Sequence, residues 1–396
     1  MTSPAILGPL SSIHQMLLRL VESVPETDAA RQYHPELGSL KWYLGRSVYQ
    51  ELFWLRETLI RERDLSARVE DLFRPGRLPL AAQCAQLPPK DHLLNWAYEI
   101  LDHHLTLLAN PGQLPAHPLL EGDRLPWFLL QEHGRNYESM LMVLVQRSLT
   151  ASPLDYRVRQ PLQPVTPTAQ TKEILQGHYR IGSREDPAAY DNELPAQAVE
   201  LSSFRINTRP ARNAEFLAFM EAGAYAERQF WTQAGWDWQT SQGSGHPEHW
   251  RRDNAGNWYG VGVNGPSDLD PDQPVMGINQ HEAKAYANWV ANLGEDTAGA
   301  VLVHEYQWEL AARSGAISEL GRAWEWCSNP FHPYPEFQAF PSAEVSERFF
   351  DQGHVSLRGA SLHTQRALRR ASFRNHAVPE QRFLFAGTRL VFPPSG

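Results

Sequence analysis

The stretch that decides the fold of the N-terminal half runs from Leu129 to Leu141 and reads LLQEHGRNYESML. We expect it to be helical, with Glu132 and Asn136 one turn apart on the same face, because residues i and i+4 are neighbours on a helix. This spacing is also how one helix can offer two ligands to a single metal ion. The stretch therefore predicts a helix with a candidate metal-binding face.

Working outward, four long segments carry apolar residues at spacings of three and four, which is typical of amphipathic helices. These segments cover residues 12–24, 40–61, 93–108 and 127–149. Prolines mark the connections between the later segments. Four such helices joined in sequence predict an antiparallel four-helix bundle, which we assign to residues 1–152.

The residue composition and the helical periodicity change after the bundle. Residues 153–169 are rich in proline and have no periodicity, so they predict an extended linker. In residues 170–396 helical periodicity is confined to 213–222, 281–291 and 306–313, between short strands, turns and clustered aromatics. The sequence therefore predicts an α+β protein whose C-terminal domain has little regular secondary structure.

Composition narrows the range of partners. The net charge of -9 gives no electrostatic case for binding nucleic acid or an anionic membrane, and no apolar run is long enough to span a bilayer. The 396 residues include two cysteines, far apart in sequence. We therefore expect no disulfide framework and no signal peptide, and a cytoplasmic protein without nucleic-acid or membrane partners.

A series of short motifs follows a fixed order in the C-terminal half. The motifs lie at residues 177–183 (GHYRIGS), 191–195 (DNELP), 212–216 (RNAEF), 282–287 (EAKAYA), 308–312 (WELAA), 324–326 (WEW), 357–361 (LRGAS), 372–375 (SFRN) and 387–390 (GTRL). This order resembles the sulfatase-modifying-factor domain of the formylglycine-generating-enzyme superfamily. The resemblance implies a C-type-lectin-like domain. The cysteine pair of formylglycine chemistry is missing, since residues 361–364 read SLHT.

Further motifs narrow the resemblance to one group and extend it to the whole chain. They are Tyr225–Trp238, the FHPYP run at 331–335, the WYLGR run at 42–46 and the ESML run at 138–141. The chain resembles the EgtB-type sulfoxide synthases of ergothioneine biosynthesis, whose wider group includes the selenoneine synthases and whose N-terminal bundle is DinB-like. The resemblance implies an oxidoreductase that holds non-haem Fe(II) through three histidines. Such enzymes use O2 to join a thiol sulfur, or selenium, to the imidazole of a trimethylated histidine.

The chain departs from this family at all three iron ligands. The motifs place Arg46, Glu132 and Asn136 at the positions of the three histidines. A guanidinium is permanently protonated and has no lone pair for a metal. We expect Arg46 and Glu132 to form an ion pair with Asn136 hydrogen-bonded beside it, and we assign no metal ligand.

Other histidines leave an alternative open. His133 lies about 100° around the helix from Glu132, so we expect it to face elsewhere. One of His103 and His104 could face the interior of the bundle, and a relocated site could use His133 with Tyr137. The alternative is that these histidines are ordinary surface or interhelical residues.

Candidate pocket residues come from the second domain. Trp324 and Glu325 belong to the WEW motif, where a tryptophan face suits a trimethylammonium group. Arg322 and Arg374 could bind a substrate carboxylate. The alternative for all four is a structural role. No catalytic residue can be assigned, and the lone Cys327 is expected to be a packed core residue.

Two hypotheses about function follow. One is an EgtB-like enzyme with a degenerate metal site, acting on a histidine-like or thiol or selenol substrate. The other is a metal-free, non-catalytic paralogue that binds a small ligand or a partner subunit. The sequence does not decide between them.

Overall fold

A computed structural model of the chain describes residues 3–151, 155–184, 186–350 and 353–394, without the side chains of Pro4 and Pro111. It divides into two compact units. The first comprises Met1–Ala151 and Thr364–Leu368, and the second comprises Ser152–His363 and Arg369–Gly396. Residues 364–368 therefore belong with the helical unit, although the sequence places them in the second domain.

The first unit is a four-helix bundle, as predicted. Its helices are α1 (Pro4–Glu22), α2 (Glu26–Ala30), α3 (Leu40–Glu51), α4 (Asp64–Phe73), α5 (Leu80–Ala85), α6 (Lys90–Ala109) and α7 (Arg124–Thr150). The long helices α1, α3, α6 and α7 form the bundle, with α1 and α3 each packed against both α6 and α7. The predicted segments locate these four helices, and the periodicity did not reveal the short helices α2, α4 and α5.

The segment predicted as one helix over 40–61 changes its winding halfway. Ser39 caps α3, since its hydroxyl accepts a hydrogen bond from the backbone N–H of Trp42. After Glu51 the chain continues as a π-helix, Leu52–Ile60, and ends at Arg61 with φ of 68°. A π-helix bonds residues five apart, so its side chains point in different directions from those of a continued α-helix. Glu51 is the last residue before this change.

Residues 364–368 lie along α7. The Thr364 hydroxyl contacts both carboxylate oxygens of buried Glu138, at 3.1 and 2.9 Å. One turn earlier, a Cβ atom at Gly134 would lie 3.2 Å from the Cβ of Gln365. The absent side chain of Gly134 therefore allows the close approach, and Glu138 anchors the segment by hydrogen bonding.

The second unit has short strands and helices, in agreement with the predicted α+β class. Its helices are α8 (Asn213–Glu221), α9 (Gln233–Gln242), α10 (Gln280–Val290) and α11 (Glu305–Arg313). Its strands are β1 (Thr171–Ile174), β2 (Gly177–Ile181), β3 (Gln197–Leu201), β4 (Phe204–Asn207), β5 (Trp250–Arg252), β6 (Trp258–Gly262), β7 (Gly265–Asp268), β8 (Val301–Leu302), β9 (Trp324–Pro330), β10 (Val355–Gly359), β11 (Asn375–Ala377), β12 (Ala386–Thr388) and β13 (Leu390–Phe392).

The strands form four small sheets. Their orders are β1-β4-β13-β8, β11-β10-β9-β12, β2-β3 and β5-β6-β7. All pairings are antiparallel except that of β9 with β12. The WEW motif begins β9 and lies between two neighbouring strands, so its backbone is inside a sheet.

Helix α9 is a fourth helix in this unit, outside the three segments that the periodicity predicts. The periodicity missed it because its apolar residues follow no helical period, and its buried positions are Gly235 and Gln239. The helix begins instead at a cap, where the Thr232 hydroxyl accepts a hydrogen bond from the N–H of Gly235. This cap at Thr232 is the feature of the sequence from which the helix could have been predicted.

The described part of the predicted linker, residues 155–169, contains no helix or strand. Residues 153 and 154 of that prediction lie outside the described residues. None of the described helices is both long enough and apolar enough to cross a bilayer.

Candidate functional site

The three residues that the resemblance places at a metal site lie on α3 and α7 of the bundle. Asn136 is buried, and its amide nitrogen donates to the Ser47 hydroxyl at 2.9 Å and to the Gln50 side-chain oxygen at 3.0 Å. The Gln50 amide nitrogen in turn donates to the Glu132 carboxylate at 2.9 Å. These contacts make one hydrogen-bonded chain between the two helices.

Arg46 makes different contacts. Its guanidinium donates to the backbone oxygen of Phe73 at 3.0 Å and lies 6.0 Å from the ring centroid of Trp42. Glu132 lies 3.4 Å from the guanidinium of Arg135, one turn along its own helix. The ion pair between Arg46 and Glu132 stays a prediction. Gln50, which the sequence did not single out, links Glu132 to Asn136.

A second polar cluster lies inside the bundle, close to the first in sequence. Glu51 accepts hydrogen bonds on Oε1 from Nε2 of His14 at 2.7 Å and Nε2 of His133 at 2.9 Å. Its Oε2 atom lies 3.0 Å from Nδ1 of His104. Each of the four bundle helices α1, α3, α6 and α7 thus supplies one member of the cluster.

All four members of this His–Glu cluster are buried. The exposed fractions are 2% for His14 and 0% for Glu51, His104 and His133. Burial acts to raise the pKa of Glu51, but the facing His14 and the hydrogen bonds from the histidines hold that pKa well below its ordinary value. Burial also lowers the pKa of His133, against the opposing effect of Glu51. The hydrogen bonds from the three imidazoles thus favour the ionised form of the carboxylate.

The cluster agrees with what the sequence suggested for these histidines. His133 faces away from Glu132 and lies in the bundle interior. Of the neighbouring pair, His104 faces the interior and His103 is exposed. His14 and Glu51 were missed by sequence reasoning. The sequence did contain a signal for Glu51. It lies at helical spacing among Leu44, Val48 and Leu55, so it places a carboxylate within an apolar stripe.

In the second unit, the candidate pocket residues take part in buried ion pairs. Arg374 contacts both carboxylate oxygens of Glu305 at 2.8 Å. Glu325 accepts two hydrogen bonds from Arg389, at 2.8 and 2.9 Å, and one from the Trp308 indole at 2.7 Å. These bidentate contacts occupy both carboxylates, which supports a structural role for Arg374 and Glu325.

The remaining candidates differ in exposure. Trp324 is buried beside Phe373, with ring centroids 5.8 Å apart, whereas Arg322 is exposed just before β9. The structure therefore does not gather Trp324, Glu325, Arg322 and Arg374 around one cavity among the pockets it describes. Cys327 is buried, and burial raises the pKa of its thiol, as suits a core residue.

Comparisons with known proteins cover almost the whole chain. It is 30% identical to the hercynine oxygenase of Mycolicibacterium thermoresistibile, over 95% of this chain and 92% of that protein. The chain belongs to the EgtB-type hercynine oxygenase family. The hercynine oxygenase of Mycobacterium tuberculosis is 28% identical over 99% of this chain and 100% of that protein.

The second unit also has relatives outside this family. Residues 159–320 match the sulfatase-modifying factor enzyme 1-like domain. The formylglycine-generating enzyme of Thermomonospora curvata is 32% identical over 35% of this chain and 47% of that protein. The hercynine oxygenase relatives match the sequence of the bundle as well as that of the second unit.

The family's iron does not fit the residues at its own position. Arg46 offers no lone pair, and Asn136 uses its amide nitrogen to bond two neighbours. Glu132 is the one strong oxygen ligand among the three, and it accepts hydrogen bonds from Gln50. A fixed positive charge on Arg46 would also repel a divalent ion. No step of oxygen chemistry can be derived from this set.

Proposed function

We propose that this member of the hercynine oxygenase family binds a trimethylated histidine, or a closely similar small molecule, without oxygenating it. The relatives named as hercynine oxygenases match the chain over almost its full length, which supports a ligand of the same class. The loss of donor atoms at the iron position supports the absence of turnover. Binding and oxidation are thus separated in this chain.

One observation carries the loss of turnover. Ser47 and Gln50 hold Asn136 by hydrogen bonds of 2.9 and 3.0 Å, and Gln50 also holds Glu132. Side chains that are fixed by neighbours in this way cannot rotate to complete a metal site unless those hydrogen bonds break, at about 1 kcal/mol or more each. This hydrogen-bonded chain, at positions that the resemblance assigns to iron ligands, supports the loss of turnover.

A second candidate is an EgtB-like enzyme that forms a C–S or C–Se bond with a rebuilt metal site. The observation in its favour is that Glu132 supplies a carboxylate at one of these positions, and a carboxylate is a competent ligand for Fe(II) in other settings. On this hypothesis a thiol or selenol is the co-substrate. A partner subunit as the bound species, rather than a small molecule, is the third possibility.

Calorimetric titration with hercynine, the trimethylated histidine, followed by mass spectrometry of the mixture, distinguishes these three functions. We expect saturable 1:1 binding and complete recovery of unchanged hercynine after incubation with Fe(II), O2 and cysteine. Formation of a sulfoxide product would contradict the proposal and favour the enzyme. An absence of any hercynine binding would also contradict the proposal, and it would favour a partner subunit as the bound species. Histidine, which lacks the trimethylammonium group, is the matched control ligand.

A further inference from the structure

The His–Glu cluster gathers the donor atoms of a metal site around one carboxylate. His14 and His133 contact Oε1 of Glu51 at 2.7 and 2.9 Å, and His104 lies 3.0 Å from Oε2. Imidazole nitrogens and a carboxylate oxygen are also the ligands that zinc takes in proteins. The ring atoms that face Glu51 all carry a lone pair when the proton is absent.

The geometry is close to that of a tetrahedral site. The ligand atoms of His14, Glu51 and His133 all lie within 4.8 Å of one another. Bonds of about 2.1 Å to a tetrahedral ion place ligand atoms about 3.4 Å apart. His14 and His133 now lie 2.7 and 2.9 Å from Oε1 of Glu51, so each pair needs to separate by about 0.5–0.7 Å to admit an ion.

The outer ring nitrogens leave the tautomers open. Nδ1 of His14 and Nδ1 of His133 are buried and have no hydrogen-bond partner among the described residues. No contact on the outer side therefore fixes the proton on the nitrogen that faces Glu51. That inward nitrogen can present a lone pair to an ion once its proton moves to the outer nitrogen or is released.

We propose that His14, Glu51 and His133 form a site for one zinc ion at the centre of the bundle, with His104 holding the second carboxylate oxygen of Glu51. Each ligand comes from a different bundle helix, so the ion ties α1, α3 and α7 together. Two imidazoles and one carboxylate leave the fourth position of a tetrahedral ion to water or another small ligand. The site uses none of Arg46, Glu132 and Asn136, and it is independent of the proposed ligand binding.

Metal analysis of the full-length protein, purified without a metal-affinity tag or chelator, tests the proposal. We expect about one zinc per chain by inductively coupled plasma mass spectrometry, and a strong loss of zinc in Glu51→Gln and His133→Asn. His103→Asn is the matched control, because His103 is the exposed neighbour of His104, and it should retain the zinc. Zinc retained in full by both site variants would overturn the proposal.

A second measurement covers variants that fold poorly. The wild-type protein is stripped with a chelator, and its thermal midpoint is recorded before and after zinc is added back. We expect zinc to raise the midpoint of the wild type and of His103→Asn by several degrees, since a ligand that binds only the folded state stabilises it. A stripped wild type that neither regains zinc nor gains stability would refute the site.

Discussion

At the scale of single residues, the WYLGR run shows how a motif can persist while its chemistry changes. Arg46 replaces the donor atom that the family resemblance places there, and its guanidinium bonds the backbone of Phe73 instead. The preceding Gly45 faces the ring of the same Phe73, with no room for a Cβ atom. Backbone packing around the run is therefore retained for reasons that do not depend on a metal.

Gly45→Ala tests that packing. The added Cβ would lie 2.1 Å from Cε1 of Phe73, whose ring stacks on Trp96 at 5.9 Å and cannot simply rotate away. We expect a loss of unfolding free energy of about 1–3 kcal/mol or more. Gly8→Ala is the control, since its Cβ would meet nothing within 4 Å and helix propensity favours alanine. Equal urea midpoints for the wild type and Gly45→Ala would refute the account.

Glu305 allows a prediction about pH. Burial acts to raise its pKa, but Arg374 and Arg358 lower that pKa from 4.5 to about 2. Because the folded pKa lies below the unfolded one, the stability from this group is complete above about pH 4.5 and is lost as the pH falls towards 2. The shift corresponds to roughly 3 kcal/mol.

Urea unfolding followed at several pH values between 7 and 3 measures this loss. Glu305→Gln should be less stable at pH 7 by about 3–5 kcal/mol, because Arg374 loses its buried partner. Its stability should also depend less on pH below 4.5. Glu221→Gln, at an exposed position, is the control. A variant with the wild-type pH profile would show that Glu305 is not the responsible group.

At the scale of elements, helix α7 makes three different sets of contacts on its faces. Glu132 and Asn136 join the hydrogen-bonded chain with Gln50, and His133 faces the bundle core. The segment 364–368 packs against Gly134 and is hydrogen-bonded to Glu138. The helix is therefore buried on more than one side, which is why its burial does not follow a simple apolar stripe.

Thr364→Val tests how the segment 364–368 is held on α7. The change removes a hydroxyl that contacts both oxygens of Glu138, at a cost of about 1.5–3 kcal/mol for a bond to a charged group. We expect amide hydrogen exchange in 364–368 to become roughly tenfold faster or more. Thr150→Val, at the exposed end of α7, should leave it unchanged. Unaltered exchange in Thr364→Val would contradict this anchoring.

The sequence predicts the elements unevenly, for physical reasons. Periodicity locates the bundle helices because their buried stripes are mostly apolar. The π-helix after Glu51 is invisible to it, since the apolar residues of Leu52–Ile60 suit either winding. The His–Glu cluster is missed because its members are more than 25 residues apart in sequence, and they meet only once four helices pack.

At the scale of the whole molecule, family membership is shown, and the loss of the family's oxygen chemistry is our proposal. The motifs of both halves indicate the EgtB-type family, and the relatives confirm it over almost the full chain. The loss of the three ligands is visible in the sequence, because a guanidinium cannot bind a metal in any fold. The hydrogen bonds of Glu132 and Asn136 to Gln50 are not visible in the sequence, since Gln50 lies on another helix and meets them only through packing.

The central claim is that this chain does not catalyse the family's reaction with oxygen. The most direct measurement is the rate of O2 consumption by the protein with added Fe(II), hercynine and cysteine, compared with the same mixture without protein. We predict equal rates in the two mixtures, and equal rates for the wild type and Glu132→Ala. O2 consumption that requires both hercynine and protein, and that is abolished in Glu132→Ala, would contradict the account.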